Sequence, residues 1–559
     1  MKSDKYKSPR PAKGQVADST PKKRKADKSP NVVAAFKGNF HCSFFILSLF
    51  TFFLLSWLWA GWWMGDTFRI AYERSFFAAN PTLMHWLWQQ SFGSLWILGR
   101  ALLTLYHWPV VGGLLVAVLL TVGSFLFGYC LRLPQRWRWI QYLPAGAWMI
   151  WVAWSGLDLF YMHEPGRILG IPLLAVLVCL LDAVIIWSFK RRKRPASPSS
   201  LSSSSSLTRP VSQFLRPLLT NLAVLAVCFL LPCLLVSQRH PYFRPLMRMQ
   251  VQLLHYDYAG MSATAHEHAS LSYRPLAAYY AVALTRQGTI AEQLFDVRLE
   301  YDSISVHDYD GDPDLGSNYY VIDCDYHAGL IRPAMHRAVE ELTMDGPSLF
   351  TLKYLVKMAL IENEWALARK YLHILRQAPF EGEFLAKYEP MLDRPDLVQA
   401  DPEFASVLKA APIQDSFESY YEKPCFLGYH AVTTAGRTKE ALTLSVMANL
   451  YSKRMPDFLM RCQPFVGTTP PRSIAEGLIT QSQKHPEILQ AFPQLQMDAQ
   501  RFRSFLQVAQ GYMQDRQRGG EELFNQFCGY YPYYYFFGNL RATRKSGEGE
   551  KEHSKAGVN

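Results

Sequence analysis

Five long apolar runs occupy the first 240 residues, and they constrain the fold more than any other feature of this chain. A helix needs about 20 apolar residues to cross the hydrocarbon core of a bilayer. Ser43–Met64 and Trp108–Tyr129 carry no charge. Ile140–Met162 contains only Asp158, Ile168–Phe189 only Asp182, and Phe214–Val236 only Arg216, close to its start. Five spans are therefore expected, at 43–64, 108–129, 140–162, 168–189 and 214–236. The basic stretch before the first run is about 40 residues, far longer than the n-region of a signal peptide, so an uncleaved anchor is expected.

The net charge of +12 does not point to nucleic acid, because of where it sits. Residues 1–30 hold eight Lys and two Arg against three Asp. Lys190–Arg216 holds seven basic residues and no acidic one. Each segment carries +7, together more than the whole chain, so the remainder is slightly acidic. Lys and Arg beside membrane spans mark the cytoplasmic side. The basic N-terminus, the loop with Arg132, Arg136 and Arg138, and the run Lys190–Arg194 alternate correctly if the N-terminus is cytoplasmic. Five spans then put everything after Val236 outside, in the periplasm of a double-membrane bacterium. One miscounted span would move that domain to the other side. Lys22-Lys23-Arg24-Lys25 would pass as a nuclear signal only in a soluble protein.

The organisation follows: a basic, disordered cytoplasmic arm at 1–40, a transmembrane region at 41–240, a soluble helical domain at 241–540 and a disordered tail at 541–559. Within the membrane region, 195–213 with Ser202–Ser206 is a flexible linker. Loop 65–107 holds Asp66, Glu73 and two aromatic amphipathic segments, Pro81–Gln90 and Ser94–His107, expected to lie in the membrane interface.

The helical domain shows paired apolar stripes. Leu352, Leu355 and Ala359 form one, Asn363 makes a turn, and Trp365, Ala368, Leu372 and Leu375 form the second before Pro379. This pair resembles the 34-residue tetratricopeptide unit. Gly428–Asn449 around Gly436 is a second match, with weaker ones around Gly288 and Gly329. The fold class is all-α, a multi-span membrane region followed by degenerate tetratricopeptide-like repeats stacked as a solenoid; an irregular helical bundle is the alternative. The run Tyr530–Phe537 should bury against the last helices or the membrane surface.

Tyr279-x-x-x-Ala283-Leu284-x-x-x-Gly288, Tyr326-His327-x-Gly329 and the closing Tyr533–Leu540 resemble an uncharacterised family of membrane proteins from Bacteroides-type bacteria. There, a hydrophobic N-terminal half precedes a tetratricopeptide-like half. The resemblance covers most of 40–540 and implies architecture and bacterial origin, with no activity to transfer. The basic arm and the Ser-rich linker depart from it.

No motif names a chemistry, and no catalytic residue, cofactor or metal is assigned. Asp182 sits about 21 Å into the fourth span at 1.5 Å per residue. An intramembrane acid is a functional candidate, or else a protonated Asp bonded to a neighbouring helix. Asp158 lies at a different depth. Asp308, Asp310, Asp312 and Asp314 invite a calcium reading, but the Gly and Glu of an EF-hand loop are missing. His255, His266 and His268 lack the four-residue spacing of a helical zinc site. Cys324, Cys425, Cys462 and Cys528 contain no close pair, which leaves their disulfide state open.

The reading favoured by these features is a membrane-anchored interaction or scaffold protein. It has the lipid bilayer and a protein on the helical surface as partners, and no nucleic acid. The rival is a cell-envelope enzyme resembling lipid-linked glycosyltransferases, with Asp66 and Glu73 in its first outer loop. A transporter lacks the expected internal repeat.

Overall fold

The computed structural model describes residues 32–156, 159, 164–192, 212–271, 273–298, 317–413, 430 and 433–538. Most of the basic arm, Asp158, residues 195–211 of the linker, the Asp308–Asp314 run, Cys425, Gly428 and the tail from 541 lie outside these residues. By packing, the chain divides into Met1–Phe50 and Thr51–Asn559. The first unit carries the start of helix Val32–Leu58, which begins ahead of the expected boundary at residue 40. The remaining elements belong to the second unit.

The described residues are helical, with no strand among them. Four helices are long and apolar enough to cross a membrane: Phe45–Trp63, Pro109–Cys130, Arg167–Phe189 and Leu219–Arg239. The expected third span at 140–162 is not among them. Its described part is a 3-10 stretch, Gln135–Tyr142, leading into a 13-residue helix, Leu143–Ser155, which ends at Gly156 with φ 52°. At 1.5 Å per residue that helix covers only about 20 Å of a core about 30 Å thick.

The short helix nonetheless packs along the bundle. Gln141 abuts Gly128 near the end of Pro109–Cys130. Gly146 meets Cys228 on helix Ser212–Arg239, and Gly156 meets His240 just beyond that helix. Backbone contact is close elsewhere too. A Cβ on Gly113 would lie 2.5 Å from the Gly61 Cα, and one on Gly99 would lie 2.0 Å from the Gly166 carbonyl oxygen. The second contact seats helix Gly93–Leu103 against the start of helix Arg167–Arg192, where Arg100 also pairs with Glu164.

From Phe243 onward, helices Phe243–Leu254, Tyr258–Glu267, Arg274–Gln287, Ser317–His327, Ile331–Met344, Leu349–Ile361 and Trp365–Leu375 pack each against the next in chain order. The turns expected at Gly288, Gly329 and Asn363 have positive φ, 74°, 80° and 61°. Leu352, Leu355, Ala359, Ala368, Leu372 and Leu375 are all buried, so the paired stripes do form one hairpin's core.

The later helices fold back rather than extending the stack. Arg472–Ser482 touches Ile290–Gln293, and Arg472 pairs with Asp296 at 3.3 Å. The aromatic run forms helix Tyr531–Phe537. Its Tyr531 and Tyr534 hydroxyls donate to the carbonyls of Leu450 and Tyr451, and both rings pack on Phe295.

Packing does not divide near residue 240. Helix Gly65–Glu73 lies against Phe243–Leu254, and the Leu349 amide donates to the Ser75 carbonyl at 3.0 Å. The loop after the first apolar helix thus forms the floor on which the later helices stand.

Candidate functional site

Two groups of polar side chains stand out where that loop meets the helical half. The first grows from helix Leu349–Ile361, whose only charged residues are Lys353 and Lys357, one turn apart. Residues four apart share a helix face, so both ammonium groups enter the same buried layer. The Lys353 Nζ lies 2.8 Å from Glu73 Oε2 and 3.0 Å from Glu381 Oε2. Arg69 holds the other Glu73 oxygen at 2.9 Å, and the Tyr72 hydroxyl donates to Glu381 at 3.0 Å.

Burial disfavours every charge in this layer, and the pairing decides the outcome. Burial alone would raise Glu73, but Lys353 and then Arg69 outweigh it and hold the carboxyl below its usual range. Glu381 shares Lys353 with Glu73 and stays raised, chiefly by burial. Lys353 itself is raised, because its two carboxylates outweigh burial.

One turn on, Lys357 donates to Glu403 Oε1 at 2.8 Å. The Asp401 side chain caps the helix Pro402–Ala410 by accepting from the Glu403 and Phe404 amides. Glu403 also accepts from the hydroxyls of Tyr256 at 2.8 Å, Tyr326 at 3.0 Å and Tyr388 at 3.0 Å, and from Lys387 at 3.4 Å. Burial opposes its charge, yet the Lys357 ammonium holds it well below the usual carboxylate range. Asp323 lies deeper. Complete burial pushes it up to about 6 against the pull of Arg74, and the Tyr279 hydroxyl donates to it. Arg74 covers the Phe350 ring at 3.6 Å and pairs with Glu341 at 2.8 Å.

Strongly shifted carboxyls mark either functional sites or structural ion-pair networks. The lone pairs of Glu73 and Glu403 are occupied by lysine, arginine and tyrosine donors. A carboxylate held this way clamps elements together, here across about 280 residues of sequence between Glu73 and Lys353.

The second group is open. A cavity of about 250 Å³ lies where the first and last apolar helices end, lined among others by Trp63, Asp66, His240, Arg244, Arg248 and His268. Arg244 covers the Trp63 ring at 4.7 Å, and Arg248 makes an exposed 3.5 Å pair with Glu267. Partial burial raises Asp66, opposed by Arg248 and Arg244.

The residues singled out by sequence separate accordingly. Asp66 and Glu73 sit at opposite ends of one short helix, Asp66 in the cavity and Glu73 in the clamp. Asp182 is on an exposed face of helix Arg167–Arg192, beside Cys130. Of the three histidines, His268 lines the cavity, His266 meets the Tyr280 hydroxyl at 3.3 Å, and His255 is exposed with Nδ1 at 2.8 Å from the Val251 carbonyl. Cys324 and Cys462 are buried free thiols, and Cys528 is a half-buried one. Sequence reading passed over Lys353, Lys357, Glu381, Glu403, Arg244 and Arg248. The lysines carried a usable signal, two charges four apart inside an apolar helix.

No curated protein and no solved structure matches this chain. Residues 157–538 match the model of a family of unknown function, DUF6057. The match takes in Arg244, Lys353 and Glu403 and leaves out Asp66 and Glu73. Since it runs over more than half of the sequence, the chain belongs to the DUF6057 family, whose function is unknown.

Proposed function

We propose that the protein is a membrane-anchored interaction or scaffold protein, whose apolar helices hold a rigid helical platform at one face of the bilayer. The observation that carries this reading is the clamp. Glu73 follows the first apolar helix and Lys353 and Glu381 belong to the helical half, which supports the two regions sharing one side of the membrane. An even number of crossings then separates residue 107 from residue 243. Counting only the four long helices leaves three crossings there, which is odd. The short helix Leu143–Ser155, flanked by its 3-10 stretch, supplies the fourth and brings the total to five.

With the basic segments inside, the platform faces away from the cytoplasm, which in a double-membrane bacterium is the periplasmic face of the inner membrane. Ordered stacking over 243–375 supports a tetratricopeptide-like solenoid. The return of Arg472–Phe537 to Ile290–Phe295 favours a closed helical body instead, since a solenoid contacts only its neighbours. The platform's partner class is a protein.

Cysteines introduced in cells at Gln89 and at Met344, both exposed, test the shared side with a membrane-impermeant maleimide. Both are expected to label from the same side, and opposite labelling would refute the arrangement. Crosslinking the full chain in native membranes tests the partner; the absence of any discrete adduct would count against an interaction role. A second reading, a cell-envelope enzyme resembling lipid-linked glycosyltransferases, is favoured by Asp66 in its open cavity. Glu73 opposes it, because its oxygens are already held.

A further inference from the structure

The cavity at the ends of the apolar helices is not part of the clamp, and its chemistry is distinct. It forms where three segments converge: Trp63 ends the first apolar helix, His240 follows the last one, and Arg244 and Arg248 lie one turn apart on Phe243–Leu254. Its volume of about 250 Å³ is room for about eight waters at roughly 30 Å³ each. That suits a compact polar headgroup.

Arg244 is exposed, covers the Trp63 ring at 4.7 Å, and has no carboxylate within 4.0 Å among the described residues. The one carboxylate in the wall, Asp66, makes no ion pair with either arginine at that distance among those residues. Among the described residues, Arg248 makes only its exposed 3.5 Å pair with Glu267, so neither cation is neutralised by the acid in the wall. Guanidinium groups recognise phosphate through paired, charge-assisted hydrogen bonds, and a ring face behind the planar group keeps its edge free for that purpose. The location adds a second argument. A tryptophan at the end of an apolar helix sits at headgroup depth, which puts the two arginines within reach of lipid phosphates.

We propose that this cavity binds a phosphate-bearing anion, with Arg244 and Arg248 on its oxygens and Asp66 beside its polar substituent. The phosphate belongs either to a lipid headgroup or to a free phosphate. This site does not rest on the platform reading.

The test uses the full chain in a neutral detergent. Thermal stabilisation and binding are measured with phosphatidylglycerol and, separately, with inorganic phosphate. Phosphatidylglycerol is expected to stabilise the wild type, and R244Q together with R248Q to weaken that binding roughly tenfold or more. Arg501→Gln, distant in sequence and outside the cavity wall, should leave it unchanged. If inorganic phosphate binds with the same dependence and the lipid adds nothing, the site stands and its ligand is soluble. If the double variant fails to fold, Arg244→Lys keeps the charge and loses the fork, and should bind more weakly than wild type. Binding that is absent for both probes, or indifferent to every substitution in the cavity, would overturn the proposal.

Discussion

Replacing Lys353 by Met tests the clamp most directly. The substitution removes an ammonium that lies 2.8 Å from Glu73 and 3.0 Å from Glu381 and keeps a similar apolar stem. Glu73 retains Arg69, whereas Glu381 keeps only the Tyr72 hydroxyl among the donors described. Breaking a buried pair and stranding its partner costs about 3–5 kcal/mol. A cooperative unit of 150–250 residues shifts by about 2–4 °C per kcal/mol, and the shift shrinks in larger units, so a loss of a few °C in Tm, on the order of 3–10 °C, is expected. The measurement is a thermal melt of purified full chain in one detergent at one scan rate, since such melts are rate-dependent. Adding Glu381→Gln should restore part of the loss, because the stranded charge becomes a neutral amide.

The pH dependence supplies the sign. Glu381 is already raised with Lys353 present, and losing the ammonium raises it further. A folded-state carboxyl that holds its proton more tightly than the unfolded chain favours folding below the unfolded value of about 4.3, and that benefit is lost as pH rises through the folded value. The deficit of Lys353→Met should therefore be smallest near pH 4.5 and grow toward pH 8. A Tm equal to wild type, or a deficit that does not vary with pH, would refute the reasoning.

Three further outcomes are expected. Glu403→Gln leaves Lys357 buried without its anion and should cost about 3–5 kcal/mol; combined with Lys357→Met the loss should be clearly less than the sum, as a double-mutant cycle would record. Asp323, pushed up to about 6, contributes stability below about 4 that is lost as pH climbs through 6; Asp323→Asn should remove that slope and stabilise the protein at pH 7–8 by on the order of 2–3 kcal/mol, read as the Tm difference between the two proteins across pH. Gly99→Val would drive a side chain into the Gly166 carbonyl, 2.0 Å from where its Cβ must sit; overpacking costs about 1–3 kcal/mol or more, and lower yield of folded protein in detergent is the readout.

How much could be read without the fold depends on the range of the interaction concerned. The apolar runs were legible because crossing a bilayer requires a length and a composition that neighbouring residues alone supply. The turns at Gly288, Gly329 and Asn363 were legible for the same reason, as each is a local backbone demand. The run 140–162 looked like its neighbours, yet its described part is a 3-10 stretch and a short helix. Composition does not encode where a helix stops, and this one stops at Gly156 with φ 52°, against His240. The repeats were legible as stripes, but their closure through Arg472 and the Tyr531–Phe537 helix was not.

The polar residues divide along the same line. Asp66 and Glu73 looked equivalent, two acids in one loop. Only the tertiary structure makes one a wall of an open cavity and the other a member of a filled clamp, because the residues that join them there, Arg244 in the cavity wall and Lys353 in the clamp, come from far along the chain. The sequence by itself determined that this protein has a half built on long apolar helices and a half built on amphipathic ones, since the run of apolar length is local physics. That both halves share one floor was decided by charges that pair across about 280 residues, a distance over which no sequence pattern specifies a partner.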